Sequence, residues 1–181
     1  MSSLSVYHVS SPEIPNKVLT HLEDIQSTLA EHGVRFDRWH SAAKIQPGAS
    51  QEEVIAAYQQ PIDQLMTERG YINVEVHSVN SDHPQVEELR VQSLEEHCLE
   101  EDDVRFFVAG RGLFTLHIDD YVYAVLCEKH DLISVPAGTR QWFDMGERPH
   151  FVTIRLFNHP QGRVANFTGD KIAGQFPRLE D

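Results

Sequence analysis

The densest run of groups able to ionise or ligate is Glu95-Glu96-His97-Cys98-Leu99-Glu100-Glu101-Asp102-Asp103, leading directly into Val104-Arg105-Phe106-Phe107-Val108. Alternate residues of an extended chain share a face, so Asp103, Arg105 and Phe107 point one way and Val104, Phe106 and Val108 the other. One face thus carries a carboxylate, a fixed cation and an aromatic ring. That set can pair with a small anionic or keto-type molecule and move a proton on it, with Arg105 as the anchor and Asp103 as the base. A second cluster, Thr139-Arg140-Gln141-Trp142-Phe143-Asp144-Met145-Gly146, places Gln141 and Phe143 on one face and Trp142 on the other. Phe107 and Phe143 are expected to line a pocket beside Asp103 and Gln141, with plain core packing the alternative.

The other candidates reduce to ordinary roles. An acidic run before a strand is usually a solvated helix end, the simplest reading of Glu95, Glu96, Glu100, Glu101 and Asp102. A single histidine such as His97 is more often hydrogen-bonded than metal-bound, and the remaining histidines lack ligand spacing. Cys98 follows His97, but strand neighbours face opposite ways, which disfavours a Cys–His nucleophile. Cys127 lies in an apolar stretch and reads as a core thiol. Gly110-Arg111-Gly112 has no following helix to make a phosphate loop.

The elements that must position these residues fall into two halves. Lys17 to His32 carries Val18, Leu19, Leu22, Ile25 and Leu29 at helical spacing and stops at Gly33. Ser50 with Gln51-Glu52-Glu53 opens a second helix, whose stripe is Val54, Ile55, Tyr58, Ile62, Leu65 and Met66, with a break expected at Pro61. A third is expected from Pro84 to Glu96. Strands are expected near 5–9 and 72–78, and after Asp102 the period becomes two. Strands then follow at 104–108, 113–118, 121–127, 131–135 and 151–157, separated by Gly and Asp turns. The fold class is mainly β with added helices (α+β), an antiparallel barrel or jelly roll with helices concentrated in the N-terminal half. With no repeat or linker, residues 1–181 read as one domain.

The chain has 181 residues, 15 Lys+Arg against 28 Asp+Glu, and a formal charge of −13. That balance disfavours nucleic-acid and anionic-membrane partners, which require a positive field. No apolar run approaches the roughly 20 residues of a membrane span, and two cysteines make no disulfide framework, so a cytoplasmic setting is expected. The expected partner is a small molecule, and the chain a monomer or small homo-oligomer.

Over nearly its whole length the sequence resembles the acireductone dioxygenase family, a branch of the cupin jelly rolls. The resemblance is carried by Glu96-His97 with 104–108, Gly112-Leu113-Phe114, Leu126-Cys127-Glu128, 131–137, Trp142-Phe143-Asp144-Met145-Gly146 and Phe167-Thr168-Gly169-Asp170. Gly33-Val34-Arg35-Phe36, Trp39 and Val54-Ile55-Ala56-Ala57-Tyr58 extend it into the helical half. It implies an oxidoreductase of methionine salvage whose substrate is a sulfur-bearing 1,2-dihydroxy-3-keto compound. In that family iron(II) directs reaction with dioxygen to formate and a 2-keto acid, and nickel(II) to a cleavage releasing carbon monoxide.

The family's metal is held by His-x-His, a Glu four residues later and a His before Trp-Phe-Asp. The matching positions here are His97, Leu99, Asp103 and Gln141. Two expectations follow. Either His97, Asp103 and Gln141 weakly hold Fe(II), Ni(II), Mn(II) or Zn(II) in a working acireductone dioxygenase, or the metal is lost. In the second case Arg105, Asp103 and His97 act on a related enediol, keto or thio compound, with Phe107, Gln141, Phe143 and Leu99 around it. A non-catalytic, ligand-binding cupin is the remaining possibility.

Overall fold

The computed structural model describes residues 2–39, 50–82 and 84–179. Strands β1 (Ser3–His8) and β2 (Lys17–Leu19) precede helix α1 (Leu22–Ala30) and β3 (Arg35–Arg38). Helices α2 (Gln51–Ala57) and α3 (Gln59–Arg69) follow, then β4 (Asn73–Asn80) and α4 (Val86–Leu94). The rest is nearly all strand: β5 (His97–Cys98), β6 (Asp103–Gly110), β7 (Gly112–Ile118), β8 (Tyr121–Cys127), β9 (Asp131–Val135), β10 (Arg140–Asp144), β11 (His150–Phe157) and β12 (Asn166–Phe167).

These strands form two antiparallel sheets, ordered β12-β5-β10-β7-β8-β1-β2 and β3-β9-β6-β11-β4. Val6, Phe114, Leu116, Val125 and Phe143 of the first sheet bury against Phe36, Phe107, Ile133 and Phe151 of the second. The alternation read from the sequence is why this works: each strand sends every second side chain inward. Helices α2 and α3 cover the outer face of the second sheet, Tyr58, Ile62 and Leu65 packing on Val104, Phe106 and Val108. Trp142, on the outer face of β10, is covered by Ala173 and Phe176 from the C-terminal segment. The architecture is the α+β jelly roll expected. Among the described residues no helix is long and apolar enough to cross a membrane.

Two local readings are corrected. Residues Lys17–Leu19 are a strand, not helix: they pair with β1 at the edge of the first sheet, leaving Val18 largely exposed. The helix around Pro61 breaks earlier, at Tyr58. Proline lacks the N–H that would reach the carbonyl four residues back, so the first helix ends at Ala57 and Pro61 falls in the first turn of α3, where no such bond is needed. The cap is as expected, with Ser50 Oγ accepting from Glu53 N–H at 3.2 Å.

The β6–β7 turn brings the backbones of β6 and β11 into close contact. Gly110 has φ +76°, and a Cβ there would lie 1.9 Å from the His150 carbonyl oxygen and 2.7 Å from Phe151 Cα. Both obstacles are backbone, so no side chain can swing away. Gly110→Ala is expected to lower stability by about 2–3 kcal/mol in chemical denaturation. A loss under about 0.5 kcal/mol would contradict this packing.

Candidate active site in the barrel

Two strand pairings assemble the site. His97 of β5 stands opposite Gln141 of β10, and Arg105 of β6 stands opposite Arg155 of β11. Asp103, one inward position before Arg105, lies between these pairs and is almost fully buried. Its Oδ1 accepts from Arg105 Nε at 3.1 Å and Arg155 Nη2 at 3.2 Å, and its Oδ2 from Arg105 Nη2 at 3.2 Å and Gln141 Nε2 at 3.1 Å. Burial alone would raise the Asp103 pKa, but the Arg105 and Arg155 guanidiniums overcome it and hold the carboxyl well below the usual range. Arg105 is wedged between aromatic faces, its Cζ 5.1 Å from the Phe143 ring centroid and 5.2 Å from that of Phe114.

This alters the part expected of Asp103. A carboxylate accepting four hydrogen bonds, two of its partners cationic, is a poor proton acceptor near neutral pH. Asp103 is the counter-ion that lets two arginines lie inside a barrel. His97 is better suited to the proton: its Nδ1 donates to the Glu95 carbonyl at 2.8 Å, which leaves Nε2 as the lone-pair nitrogen. Burial, opposed by that hydrogen bond and reinforced by Arg105, lowers its pKa and keeps the ring neutral.

Arg105, Arg155, His97, Leu99, Phe143 and Phe167 line a cavity of about 550 Å³, the size of a small-molecule site. Asp103 is one hydrogen bond removed from its wall, and the Gln141 side chain reaches the wall through Asp103. Phe107 does not reach it. It shares the inward face but lies deeper in the inter-sheet core, its ring centroid 6.4 Å from that of Phe143. Phe167 arrives from β12, which pairs with β5 and sets its ring 6.0 Å from His97. Arg155 and Phe167 were missed by the sequence reading. The signal for Arg155 was a lone cation among the apolar residues of 151–157; Phe167 offered none, because its place depends on a two-residue pairing far along the chain.

Glu96 takes the opposite face from His97. Its Oε2 accepts from His117 Nδ1 at 2.7 Å, and its Oε1 from Thr168 Oγ1 at 2.8 Å. With Asp170 these are the one group among the described residues that gathers three His, Cys, Asp or Glu ligand atoms within 4.8 Å. The Thr168 bond fastens the C-terminal segment to the barrel, and Ile172 N–H donates to Asp170 Oδ1 at 2.9 Å within that segment.

Comparison with known proteins decides the family. The model of the ARD/ARD' family matches residues 6–165. The chain belongs to that family. It is 81% identical to the acireductone dioxygenase of Pseudomonas fluorescens (strain Pf0-1) and 79% identical to that of Pseudomonas syringae pv. syringae (strain B728a). Both matches run over 181 residues and cover all of each chain. Among solved structures, the acireductone dioxygenase from Bacillus anthracis with a cadmium ion in its active centre superposes with a TM-score of 0.80. It is 26% identical, and the match covers 92% of this chain and 98% of that one. These relatives favour the acireductone dioxygenase reading over a divergent one. ARD-family membership also accounts for the barrel.

Proposed function

We propose that this ARD-family chain takes an acireductone into the barrel cavity and reacts it with dioxygen, as the names of its full-length relatives suggest. The observation that carries the reading is the inward pair Arg105 and Arg155, held by one carboxylate at the wall of a small-molecule cavity. Two guanidiniums against Asp103 leave one positive charge in this trio, in a chain of charge −13. An enediol is a weak acid, and a fixed positive charge beside its oxygens favours the enediolate, the electron-rich form that dioxygen oxidises. His97 Nε2 is the acceptor for the departing proton. Phe143 and Phe167 shield the bound molecule from water and take its apolar tail. A cytoplasmic enzyme with a small-molecule substrate, in a single domain, is the setting this reading supposes.

The test is oxygen uptake with an acireductone generated anaerobically, followed by product analysis. Enzyme-dependent uptake yielding formate and a 2-keto acid is expected. Tight binding of the acireductone without uptake would overturn the reading in favour of a ligand-binding cupin.

A further inference from the structure

We infer that the barrel of this chain has no resident transition-metal site, and that the Arg105–Asp103–Arg155 cluster stands where such an ion would need an anionic ligand. The inference rests on the donors present and is independent of which substrate the cavity takes.

A carboxylate has about four lone-pair positions, and Asp103 has four hydrogen bonds directed at it. To coordinate an ion it must give up at least one of these bonds, three of which tie it to the Arg105 and Arg155 guanidiniums. What remains is neutral. His97 offers Nε2, and Gln141 offers Oε1, which is buried without a hydrogen-bond partner among the described residues. Leu99 lines the same cavity as His97 and has no donor. Two neutral donors, beside a carboxylate already saturated by four hydrogen bonds, make a poor site for a divalent cation, which selects imidazole and carboxylate together.

The same geometry says where donors are missing. Position 99 lines the same cavity as His97, and position 141 is the cross-strand partner of His97, so imidazoles there would converge with His97. The experiment titrates Co(II) and Ni(II) into metal-free full-length protein, read by Co(II) ligand-field absorbance and by calorimetry. Wild type is compared with His97→Ala, Asp170→Ala and the variant Leu99→His/Asp103→Glu/Gln141→His. The expected result is no His97-dependent binding in wild type, and at least about 100-fold tighter binding in the triple variant, more than outer-shell changes alone deliver. Binding in wild type that survives His97→Ala and disappears in Asp170→Ala assigns the ion to the outer Glu96–His117–Asp170 group and leaves the inference standing. Stoichiometric binding abolished by His97→Ala overturns it, whether or not the triple variant folds. A folded triple variant that binds no more tightly than wild type also overturns it, because positions 99 and 141 are then not the missing donors. Acireductone turnover is scored separately, so the two proposals fail by different measurements.

Discussion

Asp103→Asn is expected to destabilise the fold by about 3–5 kcal/mol, although it changes the side chain by a single atom. The carboxylate holds Arg105, Arg155 and Gln141 through four bonds, and an amide keeps one acceptor oxygen while turning an NH₂ toward groups that are themselves donors. Arg105 and Arg155 then lose the carboxylate that bridges them. The pH dependence distinguishes this from a packing defect. Because the folded pKa of Asp103 lies below its unfolded value of about 3.9, its stabilisation is complete above that value and is lost as pH falls toward the folded pKa. The gap between wild type and Asp103→Asn in urea denaturation is therefore expected to be full at pH 7. Below about pH 4 it should narrow by about 1.4 kcal/mol for each pH unit. A gap equally wide at pH 3 and pH 7 would sink the ion-pair explanation.

The half of this cluster that was legible in the sequence is the half set by local geometry. Strand parity alone put Asp103 and Arg105 on one face, and Gln141 with Phe143 on another, because a period of two needs no knowledge of the partner strand. Arg155 was hidden for the opposite reason. Its place depends on β11 pairing with β6 in a register that shifts between Val152 and Thr153, and no short-range pattern encodes such an irregularity. The part Asp103 plays turns on the same pairing: with one cation beside it a carboxylate resembles a base, and with two it resembles a counter-ion. Residues Lys17–Leu19 repeat the point at the level of the fold. Val18 and Leu19 fit a helical stripe with Leu22, Ile25 and Leu29, and only the pairing with β1 turns them into an edge strand. Helix α2 was readable because its cap, acidic first turn and apolar stripe are all local.

Arg155→Ala, on the acireductone reading, is expected to lower kcat/KM by about 10²- to 10³-fold, the usual cost of removing one donor aimed at developing negative charge. The stability cost should be smaller than that of Asp103→Asn, because the two arginines are unequal. Arg105 spends Nε and Nη2 on Asp103 and is clasped by Phe114 and Phe143, so it is as much a part of the framework as of the site. Arg155 gives Asp103 a single nitrogen, Nη2, and stands at the cavity wall. Removing it leaves the Arg105–Asp103 pair intact and neutral. The guanidinium that faces the cavity goes with it, and with it the preference for the enediolate. The loss should therefore deepen at low pH, where the enediol is protonated, and recede at high pH, where ionisation no longer needs assistance. Arg155→Lys should restore little, since a point charge on a flexible stem cannot bridge Asp103 and a ligand oxygen as a planar fork does. Steady-state oxygen uptake from about pH 6 to pH 9, beside a denaturation curve for each variant, separates these effects. Turnover within threefold of wild type at every pH would remove Arg155 from the substrate site and leave it a purely structural partner of Asp103.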